Sequence, residues 1–196
     1  MSTLADIRAG DARFWQRLLR LAGYYTGRID GILGSKSNAA AVRWDDAVQI
    51  IRDAHGSFDA RSEANIATLI PTAQRAARLW LGAAKALAED KGYEVCIICG
   101  TRSYREQDAL YAQRPRVTKA RGGQSMHNFG VAWDFGVFRA KKYLGDGPMY
   151  AELGRLYTRV PSLEWGGTWK SFVDEPHLQL NIFPTTAAAR AAFERS

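Results

Sequence analysis

Ser125-Met126-His127-Asn128-Phe129-Gly130-Val131-Ala132-Trp133-Asp134, taken with Asp174-Glu175-Pro176-His177-Leu178-Gln179 farther on, is the stretch from which the rest of the chain can be read. Residues two apart share a face of a strand. Ala132, Asp134 and Gly136 therefore look one way and Val131, Trp133 and Phe135 the other, so the backbone aims the Asp134 carboxylate. The second segment alternates likewise, with His177, Gln179 and Asn181 against Leu178, Leu180 and Ile182. Gly130 suits backbone that turns sharply or passes close to a neighbour, which a residue without Cβ does cheaply. Together the two stretches offer two imidazoles, a carboxylate and a spare acid. A catalytic zinc takes three protein ligands from His, Asp, Glu and Cys and leaves a fourth position for water. His127, Asp134 and His177 would supply those three.

The run S-x-H-x-x-G-x-A-x-D followed by D/E-x-x-H resembles the zinc D-Ala-D-Ala carboxypeptidase and L-alanyl-D-glutamate endopeptidase family of cell-wall peptidases. In active-site plan that family is similar to lysostaphin-type enzymes and hedgehog signalling domains. The resemblance extends from Phe58 to Phe183. It takes in the segment from Phe58 to Leu69, then Gly100-Thr101-Arg102-Ser103, Glu106-Gln107, Leu110-Tyr111-Ala112-Gln113, and Trp165-Gly166-Gly167 before Trp169. These flanks resemble the endopeptidases of phage endolysins more than the dipeptidases. The resemblance implies one Zn2+ ion on His127, Asp134 and His177. It implies Asp174 as general base, with the adjacent Glu175 as its rival, and Arg102 as the cation that steadies an oxyanion or a substrate carboxylate. Gln107, Ser125 and Gln179 are candidate substrate contacts or orienting partners of the ligands.

Plainer readings stand beside these. Arg102 could simply pair with Glu106. His55, in His55-Gly56-Ser57, reads as a turn residue, and Trp133, Trp165 and Trp169 read as core rather than groove. Cys96 and Cys99 lie in an apolar run of β formers, where three residues apart they face opposite sides. They are expected to be buried thiols in a reducing compartment and neither a redox nor a zinc pair.

With 196 residues, 46% hydrophobic and 24% charged, the chain can bury one good core and a small accessory unit. No apolar run reaches the length of a membrane span, and the first residues show no apolar signal core, so no stable membrane insertion is expected. The expectation is synthesis in the cytoplasm without a signal peptide and action on the wall after release, as a phage or prophage lysis enzyme or a virion-borne one. The net charge of +7 suits an anionic partner. Basic residues cluster modestly at Arg114, Arg116, Lys119 and Arg121 and at Arg139, Lys141 and Lys142, with no nucleic-acid-binding signature. Bacterial peptidoglycan is the expected partner, nucleic acid is not, and the protein is expected to be a monomer.

Residues 1–54 read as a separate helical unit. Phe14, Leu18, Leu19 and Leu21 recur at helical spacing, Gly23 to Gly27 ends that helix, and Ile29 to Gly34 makes a tight turn before a second helix from Ser35 or Ser37. Trp15-Gln16-Arg17-Leu18-Leu19 and Gly23 to Gly34 resemble the small three-helix peptidoglycan-binding domain. Ser37 or Asn38 departs from it where threonine is usual, and so does Trp44-Asp45 where an aromatic-Gln pair is usual. A plain buttress for the second unit is the alternative reading.

Residues 55–196 read as α+β: a small, mainly antiparallel sheet with packed helices. Pro71 and Gly92 bracket a long amphipathic helix, and a strand runs from Tyr93 to Cys99. Ser103 to Glu106 forms a capping box for a helix to Gln113. The basic loop from Arg114 to Gln124 leads to His127 and could border a cleft. A helix over Pro148 to Arg159, a strand over His177 to Ile182 and a helix over Thr186 to Glu194 follow. The function expected is a zinc peptidase acting on the stem peptide of peptidoglycan between L-Ala and D-Glu. The alternatives are a D,D-carboxypeptidase and a non-catalytic wall-binding or phage structural protein with a vestigial metal site.

Overall fold

The computed structural model describes residues 3–115 and 117–195, so Arg116 of the basic loop lies outside the described residues. Helices α1 (Leu4–Gly10), α2 (Ala12–Leu21) and α3 (Ser35–His55) come first. Each starts where a cap is available: Thr3 and Asp6 form a capping box for α1, and the Asp11 carboxylate accepts from Phe14 N at the head of α2. Gln16, fully buried on α2, organises the long α2–α3 loop. Its amide donates to Asp30 Oδ1 (2.9 Å) and Ile32 O (3.1 Å) and accepts from Gly31 N (2.9 Å), which explains why glutamine and the Asp30-Gly31 turn occur together. His55 is the last residue of α3 rather than part of a turn. Gly56, at φ 78°, is the residue that breaks the helix.

Next come α4 (Ala60–Ile66), capped by Asp59, and α5 (Pro71–Asp90), with Pro71 at its first turn and Gly92 just past its end at φ 73°. Strand β1 (Glu94–Cys99), α6 (Tyr104–Ala112), β2 (Ala132–Arg139) and β3 (Lys142–Leu144) follow. Then come α7 (Pro148–Gly154), a 3-10 segment (Arg155–Arg159), β4 (Leu163–Trp165), β5 (His177–Leu180) and α8 (Thr186–Glu194). β5 stops at Leu180, short of the expected Ile182, which is exposed.

The sheet is antiparallel throughout, in the order β1-β2-β5-β4, with β3 pairing the far end of β2. The chain is therefore α+β as expected, with a helical N-terminal region. α5 covers one face of the sheet: Trp80 packs on Phe135 at 4.7 Å between ring centroids, and Phe135 stacks on Tyr150 at 5.3 Å. The N-terminal helices do not stand apart. One apolar cluster runs from Ile7, Phe14 and Leu18 through Phe129 to Phe193, and a Cβ added to Gly130 would meet Leu18 and Ile70 at 3.2 Å. Gly130, at φ 69°, thus satisfies both demands read from the sequence, a left-handed turn and a close approach. Among the described residues no helix is long and apolar enough to cross a membrane.

Candidate metal centre

β2 and β5 meet with Asp134 directly opposite His177 and Ala132 opposite Gln179. This register puts one carboxylate and one imidazole side by side on the same face. His127 arrives from the 3-10 turn Met126–Phe129 immediately before β2. Asn128, fully buried, holds that turn: its amide donates to Arg102 O (2.9 Å) and its oxygen accepts from Gly123 N (3.0 Å). Arg102 N also donates to His127 O (3.1 Å), which ties the end of β1 to the turn. The end of β1 is in turn pinned by the loop after α4, where Thr101 N donates to Thr68 Oγ1 (2.8 Å) and Thr101 Oγ1 donates to Thr68 O (2.6 Å).

Three atoms converge. His127 Nε2, His177 Nδ1 and Asp134 Oδ1 form a triangle with sides of 3.1, 3.1 and 3.2 Å. The outer nitrogen of each imidazole decides what the inner one carries. His127 Nδ1 lies 2.7 Å from Gly100 O, a carbonyl that can only accept, so the proton is on Nδ1 and Nε2 presents a lone pair. His177 Nε2 lies 3.0 Å from Gln179 Oε1, whose amide nitrogen donates to Glu164 Oε2 at 3.2 Å, so His177 Nδ1 likewise faces inward. Trp169 Nε1 donates to the other Glu164 oxygen, and the Trp169 ring packs on His177 at 5.1 Å. Three inward acceptors at this spacing need a cation or a proton between them. They also have the separation that ligands of a small tetrahedral ion require. The donor set fits zinc.

Protonation follows the same geometry. Burial drives His127 down to about 4, and the neighbouring charges only partly offset that. Burial also opposes protonation of His177, but the hydrogen bond and charge of Asp134, with Gln179, hold it above the ordinary value. Burial disfavours the Asp134 anion, yet the two imidazoles hold its carboxyl well below the usual carboxylate range. Cys99 also lies close, and Cys99, His127 and Asp134 offer ligand atoms within 4.8 Å of one another. Cys99 is the poorer ligand. Burial pushes its thiol up to about 12, and it faces His127 Nδ1 (3.8 Å), the nitrogen already committed to Gly100. It reaches this place through a register irregularity between Ile97 and Cys99, which pairs Cys96 with Gly136 and Cys99 with Asp134, so the two cysteines share a face instead of lying on opposite sides as expected. Both cysteines are free.

The cluster lies on the wall of a cleft of about 600 Å³. Asp174 lines it and Glu175 does not. The Asp174 carboxyl is half-buried and makes no hydrogen bond or ion pair among the described residues, and burial, with the Asp134 charge, raises its pKa. The Asp174 loop is held by Asp174 N to Gly166 O (3.1 Å), His177 N to Asp174 O (3.1 Å) and Trp165 Nε1 to Glu175 O (2.7 Å).

Arg102 is buried and does not pair with Glu106, which caps α6 through Ser103. Its Nη2 donates to Asp134 Oδ2 (3.1 Å), Nη1 to Gln107 Oε1 (3.0 Å) and Nε to Cys99 Sγ (3.2 Å). Gln107, fully buried, passes the restraint on to Ala120 O (2.9 Å). Ser125 is half-buried and lines the cleft, as do the loop residues Val117 to Ala120. Trp133 and Trp165 are core as expected, but Trp169 is not: it is only partly buried and lines the cleft beside His177. Sequence reasoning missed Glu164 and Asn128, polar residues whose partners are distant in the chain.

A small antiparallel sheet that lays two imidazoles and a carboxylate against an open cleft, with an unpaired acid alongside, has the layout of a metallopeptidase. Residues 118–180 match the family described as D-alanyl-D-alanine carboxypeptidase. The chain is 40% identical over 112 residues to the peptidoglycan L-alanyl-D-glutamate endopeptidase CwlK of Bacillus subtilis, across 50% of this chain and 67% of that protein. It is 34% identical over 127 residues to the L-alanyl-D-glutamate peptidase of Listeria phage A118, across 63% of this chain and 42% of that protein. Among solved structures, the L-Ala D-Glu endopeptidase ChiX of Serratia marcescens superposes with a TM-score of 0.50 at 28% identity, covering 63% of this chain and 88% of that one. The chain belongs to the D-alanyl-D-alanine carboxypeptidase family of peptidases, which takes in these L-alanyl-D-glutamate endopeptidases.

Proposed function

We propose that the protein is a zinc peptidase that hydrolyses the stem peptide of bacterial peptidoglycan between L-Ala and D-Glu. The observation that carries this reading is the triangle of His127, Asp134 and His177, with its inward lone pairs, beside the unpaired Asp174 in the cleft. The named activities of the Bacillus, Listeria phage and Serratia relatives favour the L-Ala–D-Glu bond. His127, Asp134 and His177 would hold one Zn2+, which when bound polarises a carbonyl and acidifies a water. Asp174 acts as general base. It takes a proton from the water that attacks the scissile carbonyl and delivers it to the departing amine.

Arg102 secures Asp134 by its outer oxygen and so keeps the inner one turned to the imidazoles. Three of its five N–H groups are engaged by protein acceptors, which leaves two for a developing oxyanion or a substrate carboxylate. Gln179 and Glu164 hold the His177 tautomer, Gln107 holds Arg102, and Ser125 stands at the cleft wall as a substrate contact. The N-terminal helices would serve wall attachment, and the phage relative favours a role in lysis or infection.

Digestion of purified peptidoglycan by the wild type, the metal-stripped protein and Asp174→Ala, with mass spectrometry and labelling of new amino termini, tests the reading. New D-Glu amino ends that need both metal and Asp174 are the expected result. Release of free D-Ala instead would assign the carboxypeptidase activity that gives the family its description. No metal-dependent product would overturn the enzyme reading and favour a wall-binding protein.

A further inference from the structure

Among the described residues Arg102 and Lys119 are the basic side chains that line the cleft, and they are in different situations. Arg102 is tied to Asp134, Gln107 and Cys99. Lys119, on the loop before His127, has no hydrogen bond or ion pair among the described residues. Its ammonium sits over the ring of Phe172, 5.5 Å from the centroid. That contact joins two separate lining segments of the cleft, the loop before His127 and the segment leading to Asp174. Phe172 and Val117 are also large apolar side chains left exposed there, at 54% and 62%. A cation parked on an exposed ring can exchange that weak contact for a charged partner.

The substrate of the proposed reaction supplies such a partner. A D-Glu acylated on its amine by L-Ala, with one carboxyl carrying the rest of the stem, keeps its other carboxyl free on the leaving side of the scissile bond. We propose that Lys119 is the specificity residue that binds this free carboxylate, with Phe172 holding the ammonium in the cleft until substrate arrives. The inference rests on the L-Ala–D-Glu reading. It adds to that reading a preference for stem peptides whose glutamyl carboxylate is not amidated.

The test is kinetic and uses paired substrates. The zinc-supplied full chain and its Lys119→Gln and Lys119→Arg variants are given two stem peptides that differ only in whether the free D-Glu carboxyl is an acid or an amide. Lys119→Gln is expected to lower kcat/KM for the acid by roughly 10- to 100-fold, mainly through KM, and to leave the amide nearly unchanged. Lys119→Arg, which keeps the charge, should recover most of the loss. Binding of the acid peptide to metal-free protein, where nothing is cleaved, should weaken in parallel. If Lys119→Gln affects both substrates equally, or neither, the inference is overturned while the peptidase reading stands. If the wild type cuts neither, the peptidase reading has failed, and the inference with it.

Discussion

In the proposed site a proton and a zinc ion would compete for the same three atoms, and that competition would set its pH behaviour. In the metal-free protein the raised pKa of His177 contributes stability that is complete below its ordinary 6.5 and is lost as pH rises through the raised value. The depressed pKa of His127, about 4, works in the opposite direction. Between 6.5 and 4 the unfolded chain takes up a proton that the folded chain refuses, so stability falls as pH falls. The metal-free protein is therefore expected to show a Tm maximum near pH 6.5, and zinc should raise Tm increasingly above it. Paired thermal scans from acid to mildly alkaline pH check this, and a flat difference between the zinc-loaded and metal-free curves would contradict it. Asp174 gives a second expectation. In the metal-free protein burial raises its pKa, and Asp174→Asn should retain zinc yet lose at least about 100-fold in kcat. The same substitution removes a carboxylate whose ionisation burial opposes, so Tm at neutral pH should rise, which separates a lost base from a damaged fold. That His127, Asp134, His177 and Asp174 come together could be read from the chain, because residue type and short spacing mark them. The pairing of Arg102 with Asp134 could not, because nothing local connects a residue after β1 to one in β2. Glu164 and Trp169 were hidden for the same reason: a glutamate on a short strand shows its purpose only when Gln179 is folded beside it.

Elements were legible where they carried their own punctuation. Pro71 and Ser103 open or cap helices at the places read from their side chains, while the helix capped by Asp59 was not read. β3 and β4, three residues each, are too short to show a period, and the irregularity that turns Cys99 toward the site leaves no mark in an apolar run. The element that most directly controls the site is the turn following β4. A Cβ on Gly166 would lie 2.5 Å from Asp174 O and 3.2 Å from His177 Cβ, and neither can yield without moving Asp174 or His177. Gly166→Ala is expected to cost about 1–3 kcal/mol in stability through overpacking. It should reduce kcat and zinc affinity more than a substitution of equal stability cost elsewhere. Gly145→Ala is the control, since only the edge of Tyr143, at 3.9 Å, comes near a Cβ there. Denaturant unfolding together with zinc titration of both variants gives the comparison, and equal zinc affinities would show that the turn does not position the ligands.

At the scale of the whole molecule, the sequence suggests two units and the structure joins them through one core. Phe14 meets Phe193 edge-on at 5.3 Å, Phe193 meets Phe129 at 5.4 Å, and Phe129 belongs to the same short turn as His127. Arg20 Nη1 on α2 donates to Arg195 O (2.7 Å) at the end of α8. The N-terminal helices thus back the turn that carries His127. Removing residues 1–54 would uncover Phe193, Phe129 and Ile70, and each large apolar side chain returned to water forfeits about 1.5–3 kcal/mol. Against a total stability of about 5–15 kcal/mol for an ordinary domain, that loss is decisive. The truncated chain is expected to aggregate or to unfold well below the full chain's Tm, and to bind zinc more weakly because the turn carrying His127 has lost its support. Thermal unfolding and zinc titration of the truncated and full chains decide the matter. An unchanged Tm and zinc affinity would mean that the helices form a separable module after all, and a truncated chain that keeps its zinc but no longer sediments with cell walls would assign them to attachment alone.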